Sequence, residues 1–524
     1  FRNRFTRSST TEGAAVARHG PGEAHVTEPK KLEIVMASPE AVPFAKTGGL
    51  ADVAGALPRA LRARGHRVRL VIPYYGCILK GGVRAADTGI SVSIAISNRL
   101  ETAHLWESSL EDGTPVSLLR NDAYYDRPEL YGTAGGDYHD NAERFCFFAR
   151  AIVAMLKRTS AAPDILHCHD WQTGLVCPLL KVVERDTPIF GRTGVVFTIH
   201  NLAYQGLFWH YDMHLTGLPW SVFVPDGIEF YGKINLLKAG IVYSDAITTV
   251  SRRYSEEIQG PELGCGLAGV LRRRRGDLHG ILNGADYRQW DPANDPHIAE
   301  RYTADTLDGK RRCKEDLLGA YGLSLPPGTP LVGMVGRMAD QKGYDLIAAA
   351  LPRLLESGIA IVILGKGEEK YQRLLRRLAK GRPDRLGVKI AFDNAIAHKV
   401  EAGADYYLMP SLYEPCGLNQ IYSLRYGTVP IVRATGGLDD TVTPYDPATG
   451  AGNGFKFGPY TAEALHDAVV RAIAIFEREP DWTRIRRNAM ACDFSWDRAA
   501  REYERVYLAA VSSALGRGGG GGRA

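Results

Sequence analysis

The sequence is poor in cysteine and contains no long apolar run. These two absences exclude a disulfide-stabilised protein and a protein with membrane-spanning helices. Eight cysteines occur in 524 residues and none forms a Cys-x-x-Cys pair, so a disulfide framework is excluded and reduced thiols are expected. No stretch approaches the roughly 20 consecutive apolar residues of a membrane helix, so we expect a soluble protein. The length exceeds the roughly 250–300 residues at which single cores stop growing, which favours two domains.

An excess of one charge is also missing from the body of the chain. The formal net charge is +5, but residues 1–31 hold six Lys or Arg against three Glu, and Arg517 and Arg523 lie near the end. The segment 32–516 contains as many acidic as basic side chains. The composition therefore gives no support to nucleic-acid binding. Residues 1–31 are predicted to be a leader or disordered segment, and residues 516–524 a flexible Gly-rich tail.

Three sequence signals of other chemistries are absent or incomplete. No Gly-x-Ser-x-Gly elbow occurs, which disfavours a Ser-His-Asp hydrolase. A Gly-x-Gly-x-x-Gly pattern at 264–269 follows a helical segment and a proline rather than a strand, so dinucleotide binding is rejected. His167 and His169 alternate on a strand and share a face, but no third ligand stands near them, so no metal is expected.

Short apolar runs alternate with helical patterns along both halves of the chain. In the first half, strands are predicted at 32–36, 67–73, 165–168, 195–200 and 246–250. In the second half, they are predicted at 331–335, 360–364, 388–392, 406–410 and 429–432. This alternation predicts an α/β fold of two facing Rossmann-like domains, with ligands in an interdomain cleft beyond the carboxyl ends of the strands. The predicted segments are a first domain at 32–290, a second at 291–495 and a final helix at 496–515.

The clearest candidate for an anion site is Lys46-Thr47-Gly48-Gly49-Leu50. It lies between the first strand and the first helix, where glycines allow close approach of a ligand and a helix start offers free N–H groups. Lys46 adds a positive charge. A plain strand-to-helix turn is the alternative interpretation, and this motif alone does not decide between them.

The second half contributes two cations and a carboxylate at similar positions. Arg337 and Lys342 follow the strand 331–335 and could clamp a diphosphate, stabilising the charge that develops when a nucleotide leaves a sugar. Glu414 follows the strand 406–410 and could hold sugar hydroxyls or stabilise positive charge at an anomeric carbon. The alternatives are a solvated basic loop for the cations and a helix-start carboxylate for Glu414.

Two further features lie at predicted strand ends. Thr435-Gly436-Gly437-Leu438 follows the strand 429–432 and repeats the Thr-Gly-Gly-Leu of the first half, so we expect a glycine turn on each side of the cleft. His169 and His200 each end a strand of the first half, which makes them better candidates for a site than isolated histidines.

Taken in order, these motifs resemble those of the bacterial glycogen synthases and plant starch synthases over about residues 32–515. The resemblance rests on Lys-Thr-Gly-Gly-Leu-Ala-Asp-Val at 46–53, His-Asp-Trp-Gln-Thr-Gly at 169–174, Thr-Ile-His-Asn-Leu-Ala-Tyr-Gln-Gly at 198–206, Gly-Ile-Leu-Asn-Gly at 280–284, the run 337–343 and Glu-Pro-Cys-Gly-Leu-Asn-Gln at 414–420. It implies a GT-B-type retaining transferase that adds glucose from ADP-glucose to the non-reducing end of an α-1,4-glucan. The donor is a substrate, and no cofactor is expected.

The resemblance also implies roles for individual residues. The predicted catalytic residues are Glu414, His169, Lys342, Arg337 and Asp52. The predicted donor contacts are Lys46, Gly48, Gly49, His200, Asn235, Cys416, Gly417, Leu418, Asn419, Thr435 and Gly436. Two positions, Asp137 and Asn141, are predicted to meet the acceptor. The family has no clear protein nucleophile, so no general base is named.

Details of the motifs favour the bacterial branch. Thr47 and Asn419 stand where plant forms carry other residues, whereas Ala268 replaces an aspartate frequent in relatives. A bacterial protein would be cytoplasmic, and one from a photosynthetic eukaryote would act in the plastid stroma. Two rival hypotheses remain: another retaining transferase of the same architecture, and a catalytically silent protein that binds glucan or nucleotide. Oligomeric state is left open.

Overall fold

The computed structural model describes residues 31–133 and 135–518, with side chains up to Gly516. Apart from Lys31, the predicted leader at 1–31 lies outside the described residues, as does the end of the predicted tail at 519–524.

Strands and helices alternate through the first half of the chain. Its elements are β1 (Glu33–Ala37), α1 (Gly49–Ala63), β2 (Arg67–Pro73), α2 (Gly76–Lys80), β3 (Ala86–Ile96), β4 (Arg99–Ser109), β5 (Pro115–Arg120), α3 (Asp122–Tyr125), β6 (Gly132–Thr133), β7 (Gly136–Asp137), α4 (Asn141–Arg158), β8 (Ile165–His169), α5 (Trp171–Gly174), α6 (Val176–Pro178), β9 (Gly194–Ile199), β10 (Leu207–Trp209), α7 (Met213–Thr216), β11 (Glu229–Phe230), β12 (Lys233–Asn235), α8 (Leu236–Tyr243), β13 (Ala246–Thr249), α9 (Arg252–Glu257), α10 (Ala268–Arg273) and β14 (Leu278–Gly280).

A nine-stranded sheet forms the centre of this half within the described residues, in the order β14-β13-β9-β8-β1-β2-β5-β4-β3. The strands from β14 to β5 in this order run parallel to one another, whereas β4 is antiparallel to both of its neighbours, β5 and β3. The five predicted strands of this half are confirmed to within one residue, because each is a buried apolar run. The antiparallel pair β3 and β4 was not predicted.

The second half repeats the pattern with parallel strands only. Its elements are α11 (Asp308–Tyr321), β15 (Leu331–Val335), α12 (Tyr344–Glu356), β16 (Ala360–Gly365), α13 (Glu369–Gly381), β17 (Leu386–Ile390), α14 (Asn394–Gly403), β18 (Tyr406–Met409), α15 (Asn419–Arg425), β19 (Val429–Arg433), α16 (Gly436–Thr441), β20 (Phe455–Phe457), α17 (Ala462–Phe476), α18 (Glu479–Met490) and α19 (Trp496–Gly518). The sheet order is β17-β16-β15-β18-β19-β20.

One predicted strand in this half is displaced. The prediction at 388–392 was wrong by two residues, because β17 spans Leu386–Ile390 and Phe392 lies beyond it with 96% of its surface exposed. Leu386 is buried and pairs with Ile361, which places the buried end of the strand earlier than the apolar run suggested.

Each sheet has its own apolar core, and the two sheets confirm the predicted α/β architecture of two Rossmann-like domains. On α1, the predicted apolar positions Val53, Leu57 and Leu61 are buried against the first sheet. The segment between the sheets is anchored to the second half by Trp290, whose ring stacks between those of His398 at 3.8 Å and Tyr422 at 4.2 Å.

The last helix returns to the first sheet. Tyr503 and Tyr507 on α19 are buried in the core of the first half, and the Tyr507 hydroxyl lies 2.9 Å from Nδ1 of His167 on β8. The helix extends three residues beyond its predicted end, so the predicted tail at 516–524 begins too early. The reason is that the buried stripe continues to Ala514 and no proline interrupts the following turn.

Within the described part of the chain, no helix has the length and apolar content needed to span a bilayer.

We expect Tyr507→Phe to lower the free energy of unfolding by about 1–3 kcal/mol, because it leaves the buried His167 Nδ1 without its partner. Tyr507→Ala should cost about 3–5 kcal/mol through the additional cavity. The matched control is Leu508→Ala at a neighbouring exposed position of the same helix, expected within about 0.5 kcal/mol of the parent. Urea denaturation measures all three, and an equal response at both positions would contradict the packing of α19 on the first sheet.

Candidate functional site

The glycine turn at 46–49 follows β1 and opens α1. A side chain at either Gly48 or Gly49 would meet no protein atom within 4 Å, and Gly48 has extended backbone with φ of −153°. Neither the packing nor the backbone conformation of this turn therefore demands glycine. The open space beside both residues is the property that a close-fitting ligand needs.

Lys46 and Asp52, which the sequence assigned to different parts of a donor, are in direct contact. Nζ of Lys46 lies 2.7 Å from Oδ1 of Asp52, one helical turn into α1. Burial raises the pKa of Asp52, and the charge of Lys46 opposes that shift. The pair thus places one cation and one carboxylate side by side at the carboxyl end of β1.

A buried carboxylate beneath this turn was not anticipated from the sequence. Glu40 accepts hydrogen bonds from the backbone N–H of Thr47 and from its hydroxyl, the latter at 2.9 Å. Burial raises the pKa of Glu40 to about 7, although the bonds from Thr47 oppose the shift. Glu40 therefore holds the glycine turn in place from below.

Asp170 is a second buried carboxyl at the strand ends of the first sheet, which form the first wall of the candidate site. It follows His169 at the end of β8 and adopts φ of +56°, in the left-handed region that a non-glycine residue rarely occupies. Its Oδ1 accepts the backbone N–H of His200 at 2.8 Å, which joins the ends of β8 and β9. Burial raises the pKa of Asp170 to about 8, and the nearby charge of Glu40 adds to the shift. Strain of this kind is concentrated at functional sites.

Three histidines line these strand ends in neutral form. His167 and His169 share a face, as predicted, with ring centroids 4.1 Å apart, and His169 Nδ1 lies 2.9 Å from His200 Nε2. Burial lowers the pKa of His167 and of His200 to about 3, and lowers that of His169 as well. His169 Nε2 is buried without a hydrogen-bond partner among the described residues, so it can bind a ligand hydroxyl.

Asn235 begins α8 as its N-cap and is fully buried. Its Oδ1 accepts the N–H of Lys238 at 2.8 Å, and its Nδ2 donates to Oε1 of Gln205 at 2.7 Å. One N–H of the amide remains for another contact. Gln205 links this residue to the loop that follows His200.

The structure separates the two predicted acceptor residues. Asp137 is exposed on the hairpin β6-β7, whereas Asn141 is buried at the start of α4. The Asn141 amide donates to the carbonyl of Tyr131 at 2.8 Å and accepts from Arg144 at 2.7 Å. Arg144 is fully buried and also donates to the carbonyl of Leu130, so this pair supports the segment that leads to the hairpin.

The strand ends of the second sheet form the second wall of the candidate site. There, Lys342 and Glu414 form an ion pair. Nζ of Lys342 lies 2.5 Å from Oε2 of Glu414, and Ser411 donates to the same oxygen at 3.1 Å. Glu414 is buried, whereas Arg337 is exposed and makes only a long contact, 3.4 Å, with Gln341. Gly343 has φ of +76°, and a Cβ there would lie 2.2 Å from the carbonyl of Pro410, so this glycine brings the Lys342 loop onto the end of β18.

The run 416–419 after Glu414 mixes buried and partly exposed groups. Cys416 is buried against the core of the first half, and burial raises the pKa of its thiol to about 12. Gly417 adopts φ of +72° and, like Leu418, is partly exposed at the start of α15. The Asn419 side chain points inward and donates to the Val335 carbonyl at 3.0 Å, which ties α15 to the end of β15.

The second Thr-Gly-Gly-Leu run, at 435–438, differs from the first in how its glycines pack. A Cβ on Gly436 would lie 2.0 Å from the carbonyl of Glu414, and one on Gly437 would lie 2.0 Å from that of Cys416. These glycines are therefore required by close packing of two loops. In addition, Thr435 and the N–H of Gly436 already bind the carboxylate of Glu257, at 3.3 and 3.1 Å.

The two walls meet along one edge. Ser251, after β13, donates to the carbonyl of Pro415 at 2.6 Å, and the N–H of Arg253 donates to Asp440 at 2.9 Å. Asn201, next to His200, interacts with the hydroxyl of Tyr413, next to Glu414. The loops carrying the histidines and Glu414 therefore face each other.

Several site residues were missed by the sequence analysis. Glu40 could have been found, because it is a carboxylate in the loop between a buried strand and the glycine turn. Asp170 lies within the motif at 169–174, but its bond to His200, 30 positions away, is not visible in a local pattern. Glu257 gave no local signal, because it binds Gly436, 179 positions away. Ser411 could also have been found, because it lies shortly after β18 and three positions before Glu414. Among the described residues, no group of three or more His, Cys, Asp or Glu side chains could hold a metal ion.

Both halves of the chain match known protein families. Residues 33–273 match the family described as the starch synthase catalytic domain, and residues 322–489 match the glycosyl transferases group 1. Together with two facing parallel-sheet domains and cation–carboxylate pairs at their strand ends, these matches define a glycosyltransferase of the GT-B class.

Comparison with individual proteins narrows the class to a family. The chain is 50% identical to the glycogen synthase of Koribacter versatilis over 478 residues, covering 91% of this chain and 98% of that protein. It is 48% identical to the glycogen synthase of an Anaeromyxobacter strain, covering 91% and 99%. The chain belongs to the glycogen and starch synthase family. It is a hexosyltransferase with glycogen synthase activity, the transfer of glucose from ADP-glucose to an α-1,4-glucan.

Solved structures agree with this assignment. The catalytic domain of starch synthase IV from Arabidopsis thaliana, bound to ADP and acarbose, superposes with a TM-score of 0.85 at 33% identity and covers 92% of this chain and 100% of that one. A sucrose-phosphate synthase from Thermosynechococcus elongatus, with a TM-score of 0.55 at 19% identity over 91% of this chain and 98% of that one, shares the fold.

The raised pKa of Glu40 predicts a pH dependence of stability. Between pH 4.5 and about 7 the folded state retains a proton on Glu40 that the unfolded state releases, so this group destabilises the protein as pH rises. The shift corresponds to at most about 3 kcal/mol. Glu40→Gln removes the titration, so its unfolding free energy relative to the parent should rise by up to that amount across this window.

Chemical denaturation at pH 4.5, 6 and 8 measures the effect. The matched control is Glu111→Gln at a carboxylate that is 86% exposed, which should change the free energy of unfolding by no more than about 0.5 kcal/mol. If the free energies of unfolding of Glu40→Gln and the parent change with pH by the same amount, Glu40 titrates as an ordinary carboxyl.

Proposed function

We propose that the diphosphate of ADP-glucose lies between the two walls, against the glycine turn at 46–49 and the cations Lys46, Arg337 and Lys342. The open space beside Gly48 and Gly49 supports this placement, because close approach of an anion to backbone N–H groups explains glycine where packing does not. Arg337 is exposed and weakly bonded, so its guanidinium can turn to a phosphate without breaking a strong pair.

The ion pair of Lys342 and Glu414 is the observation that carries the mechanism. It sets a cation for the leaving phosphate and a carboxylate for the sugar side by side at neighbouring strand ends. As the bond between the anomeric carbon and the phosphate oxygen breaks, Lys342 and Arg337 stabilise the negative charge on the diphosphate. Glu414 stabilises the positive charge on the anomeric carbon.

The glucose unit is proposed to lie against Asp52, His169, His200 and Asn235. Neutral imidazoles can both donate and accept, and the buried Nε2 of His169 is suited to a sugar hydroxyl. On the second wall, we propose that Cys416 and the N–H groups of Gly417, Leu418 and Asn419 complete the donor site. Thr435 and Gly436 would join them when Glu257 releases them.

We propose that the transfer retains the anomeric configuration, as the resemblance to the family implies. Burial keeps the Cys416 thiol and the three histidines uncharged, so these residues supply neither a thiolate nor an imidazolium. We propose that the non-reducing-end hydroxyl of the glucan attacks from the face on which the diphosphate leaves, and that its proton passes to the departing phosphate. The new bond then has the configuration of the old one.

The acceptor is proposed to enter past the hairpin that carries Asp137. Asn141, being buried and bonded to Arg144, would position this hairpin rather than touch the glucan. The ADP and acarbose bound to the Arabidopsis relative support a cleft that takes both nucleotide and glucan. We also propose the domain limits 32–290 and 291–495, and the bacterial relatives favour a cytoplasmic enzyme over a plastid one.

The decisive experiment is incorporation of labelled glucose into glycogen from ADP-glucose, with UDP-glucose as the competing donor. We expect transfer with ADP-glucose, and Glu414→Ala should abolish it while ADP affinity, measured by calorimetry, stays within about tenfold of the parent. Lys342→Ala should weaken both donor binding and rate.

Three results would contradict this proposal. Absence of incorporation from ADP-glucose would favour a different donor or a silent binding protein. Near-normal turnover of Glu414→Ala would remove that carboxylate from the reacting carbon. An unchanged KM for ADP-glucose and an unchanged turnover in Lys342→Ala would remove that lysine from the diphosphate site.

The two Thr-Gly-Gly runs predict opposite phenotypes. Gly48→Ala should leave the free energy of unfolding within about 0.5 kcal/mol of that of the parent, because nothing lies within 4 Å of the added methyl. The same variant should raise the KM for ADP-glucose at least about tenfold. Gly437→Ala should destabilise the fold, because its methyl would meet the Cys416 carbonyl at 2.0 Å. Thermal denaturation and donor titration separate the two, and an unchanged KM for Gly48→Ala would remove the turn from the donor site.

A further inference from the structure

A cavity of about 460 Å³ lies in the second half of the chain, away from the Lys342 and Glu414 loops. It is lined by Gly328, shortly before β15, and by Asp405, directly before β18. The cavity therefore lies at the amino ends of strands whose carboxyl ends lead to Lys342 and Glu414. A volume of this size is typical of a site for a small molecule.

Two helices present basic side chains to this cavity. Lys310, Arg311 and Lys314 lie on α11, and Arg486 and Arg487 lie on α18. Residues three or four positions apart share one face of a helix, which explains why Lys310 and Lys314 both reach the cavity. The basic groups therefore converge from two elements instead of following one solvated helix face.

Positive charge is in excess in the inner part of the cavity. The side chain of Lys310 is buried, and those of Lys314 and Arg486 are only 20% and 15% exposed. The one lining carboxylate at this depth among the described residues is Asp405, whose Oδ2 lies 2.6 Å from Nζ of Lys314 and accepts the N–H of Leu331. Three cations therefore surround a single carboxylate, and one of them already holds it.

Lys310 is bonded to neutral groups. Its Nζ donates to the carbonyls of Ala402 and Tyr426, at 2.9 and 3.2 Å, and to the hydroxyl of Thr428 at 2.5 Å. Burial lowers the pKa of Lys310 to about 7, and the nearby charge of Arg486 adds to this shift. A buried cation without an anionic partner is costly, and an anion in the cavity would offset that cost.

Arg486 is a second inner cation whose contacts are weak. Its guanidinium donates to the hydroxyl of Thr483 at 3.2 Å and to the carbonyl of Trp482 at 3.4 Å, and lies 3.8 Å from the exposed carboxylate of Glu479. The ring of Trp482, 5.0 Å from the guanidinium carbon, helps to hold the group in place. Arg486 is thus positioned but keeps N–H donors for an oxyanion.

The mouth of the cavity has a different character. Arg311 and Arg487 are exposed, and their side chains make no hydrogen bond or ion pair within the described part of the chain. Asp305 and Asp308 are exposed carboxylates on the same rim. The guanidinium groups can turn toward an anion, and the carboxylates can accept hydrogen bonds from hydroxyl groups.

The inner excess of charge matches a phosphate group. With Lys314 paired to Asp405, the protonated Lys310 and Arg486 leave two positive charges to be neutralised. A phosphate monoester carries roughly −1.5 to −2 charges at pH 7 and offers three acceptor oxygens. The cavity is large enough to hold more than a phosphate ion, and its carboxylate-bearing rim suits a hydroxylated remainder.

We propose that this cavity is a binding site for a small phosphorylated, hydroxylated molecule. The phosphate lies between Lys310, Lys314 and Arg486, and the hydroxyl groups face Asp305 and Asp308. The site is separate from the proposed diphosphate site and does not depend on the proposed function. Its occupant stabilises the folded state, because it neutralises cations that are otherwise poorly paired.

The test uses variants of the full chain. Arg486→Gln removes the inner guanidinium. Arg311→Ala combined with Arg487→Ala removes two exposed guanidinium groups without opening the core, so it reports on the site even where Arg486→Gln fails to fold. The matched control is Arg312→Ala combined with Arg484→Ala, which removes two exposed arginines from the same two helices but outside the cavity.

Calorimetric titration with glucose 1-phosphate, inorganic phosphate and glucose measures the affinities. We expect glucose 1-phosphate to bind more tightly than inorganic phosphate, and glucose to show no binding that depends on Arg486. Both cavity variants should bind glucose 1-phosphate at least about tenfold more weakly than the parent, whereas the control stays within about twofold. Lys342→Ala should retain the binding. Glucose 1-phosphate should also raise the thermal midpoint of the parent more than that of Arg486→Gln.

Four results would overturn the proposal. The first is unchanged affinity in the cavity variants. The second is loss of binding in Lys342→Ala with the cavity variants unaffected, which would place the probe in the donor site. The third is an equal loss in the control variant, which would reduce the effect to overall charge. The fourth is equal affinity for inorganic phosphate and glucose 1-phosphate, which would deny any role to Asp305 and Asp308.

Discussion

The arrangement of this protein depends on one constraint, the parallel direction of the strands in the two sheets. Parallel strands bring all their carboxyl ends to one edge, so loops distant in sequence become neighbours. The glycine turn after β1, the histidines after β8 and β9, and the Lys342 and Glu414 loops after β15 and β18 all lie at such edges. The contacts of Ser251 with Pro415 and of Asn201 with Tyr413 then bring the two edges face to face.

Charge in the site is held in pairs. Lys46 with Asp52 on one wall and Lys342 with Glu414 on the other avoid isolated charges in partly buried positions, where an unpaired charge is costly. In the proposed function, each pair exchanges its internal partner for a phosphate on one side and a sugar on the other. Beneath them, burial favours neutral groups, as the lowered pKa values of the histidines and the raised values of Glu40 and Asp170 indicate.

The two Thr-Gly-Gly-Leu runs show how identical residues serve different physical needs. In the first, the space beside both glycines is open, with no protein atom within 4 Å of an added Cβ. In the second, the same glycines let α16 pack directly on the backbone of residues 414–416, which fixes the position of the Glu414 loop. A glycine motif therefore indicates that another group lies close to the backbone. Only the packing shows whether that group is a ligand or another loop of the protein.

The sequence by itself determined the α/β architecture and most strand positions, because buried strands leave continuous apolar runs. It also placed the candidate site residues at strand ends, because the motifs that contain them follow these runs directly. The strands β3 and β4 were not predicted, although Val92, Ile94 and Ile96 show the alternation of a half-buried strand, and neither was the two-residue shift of β17. Tertiary structure alone decided which charges pair, that Asn141 is buried and bonded to Arg144, and that Glu257 binds Thr435 and Gly436. Pairing, burial and exposure are relations between distant segments, and a local pattern contains no record of them.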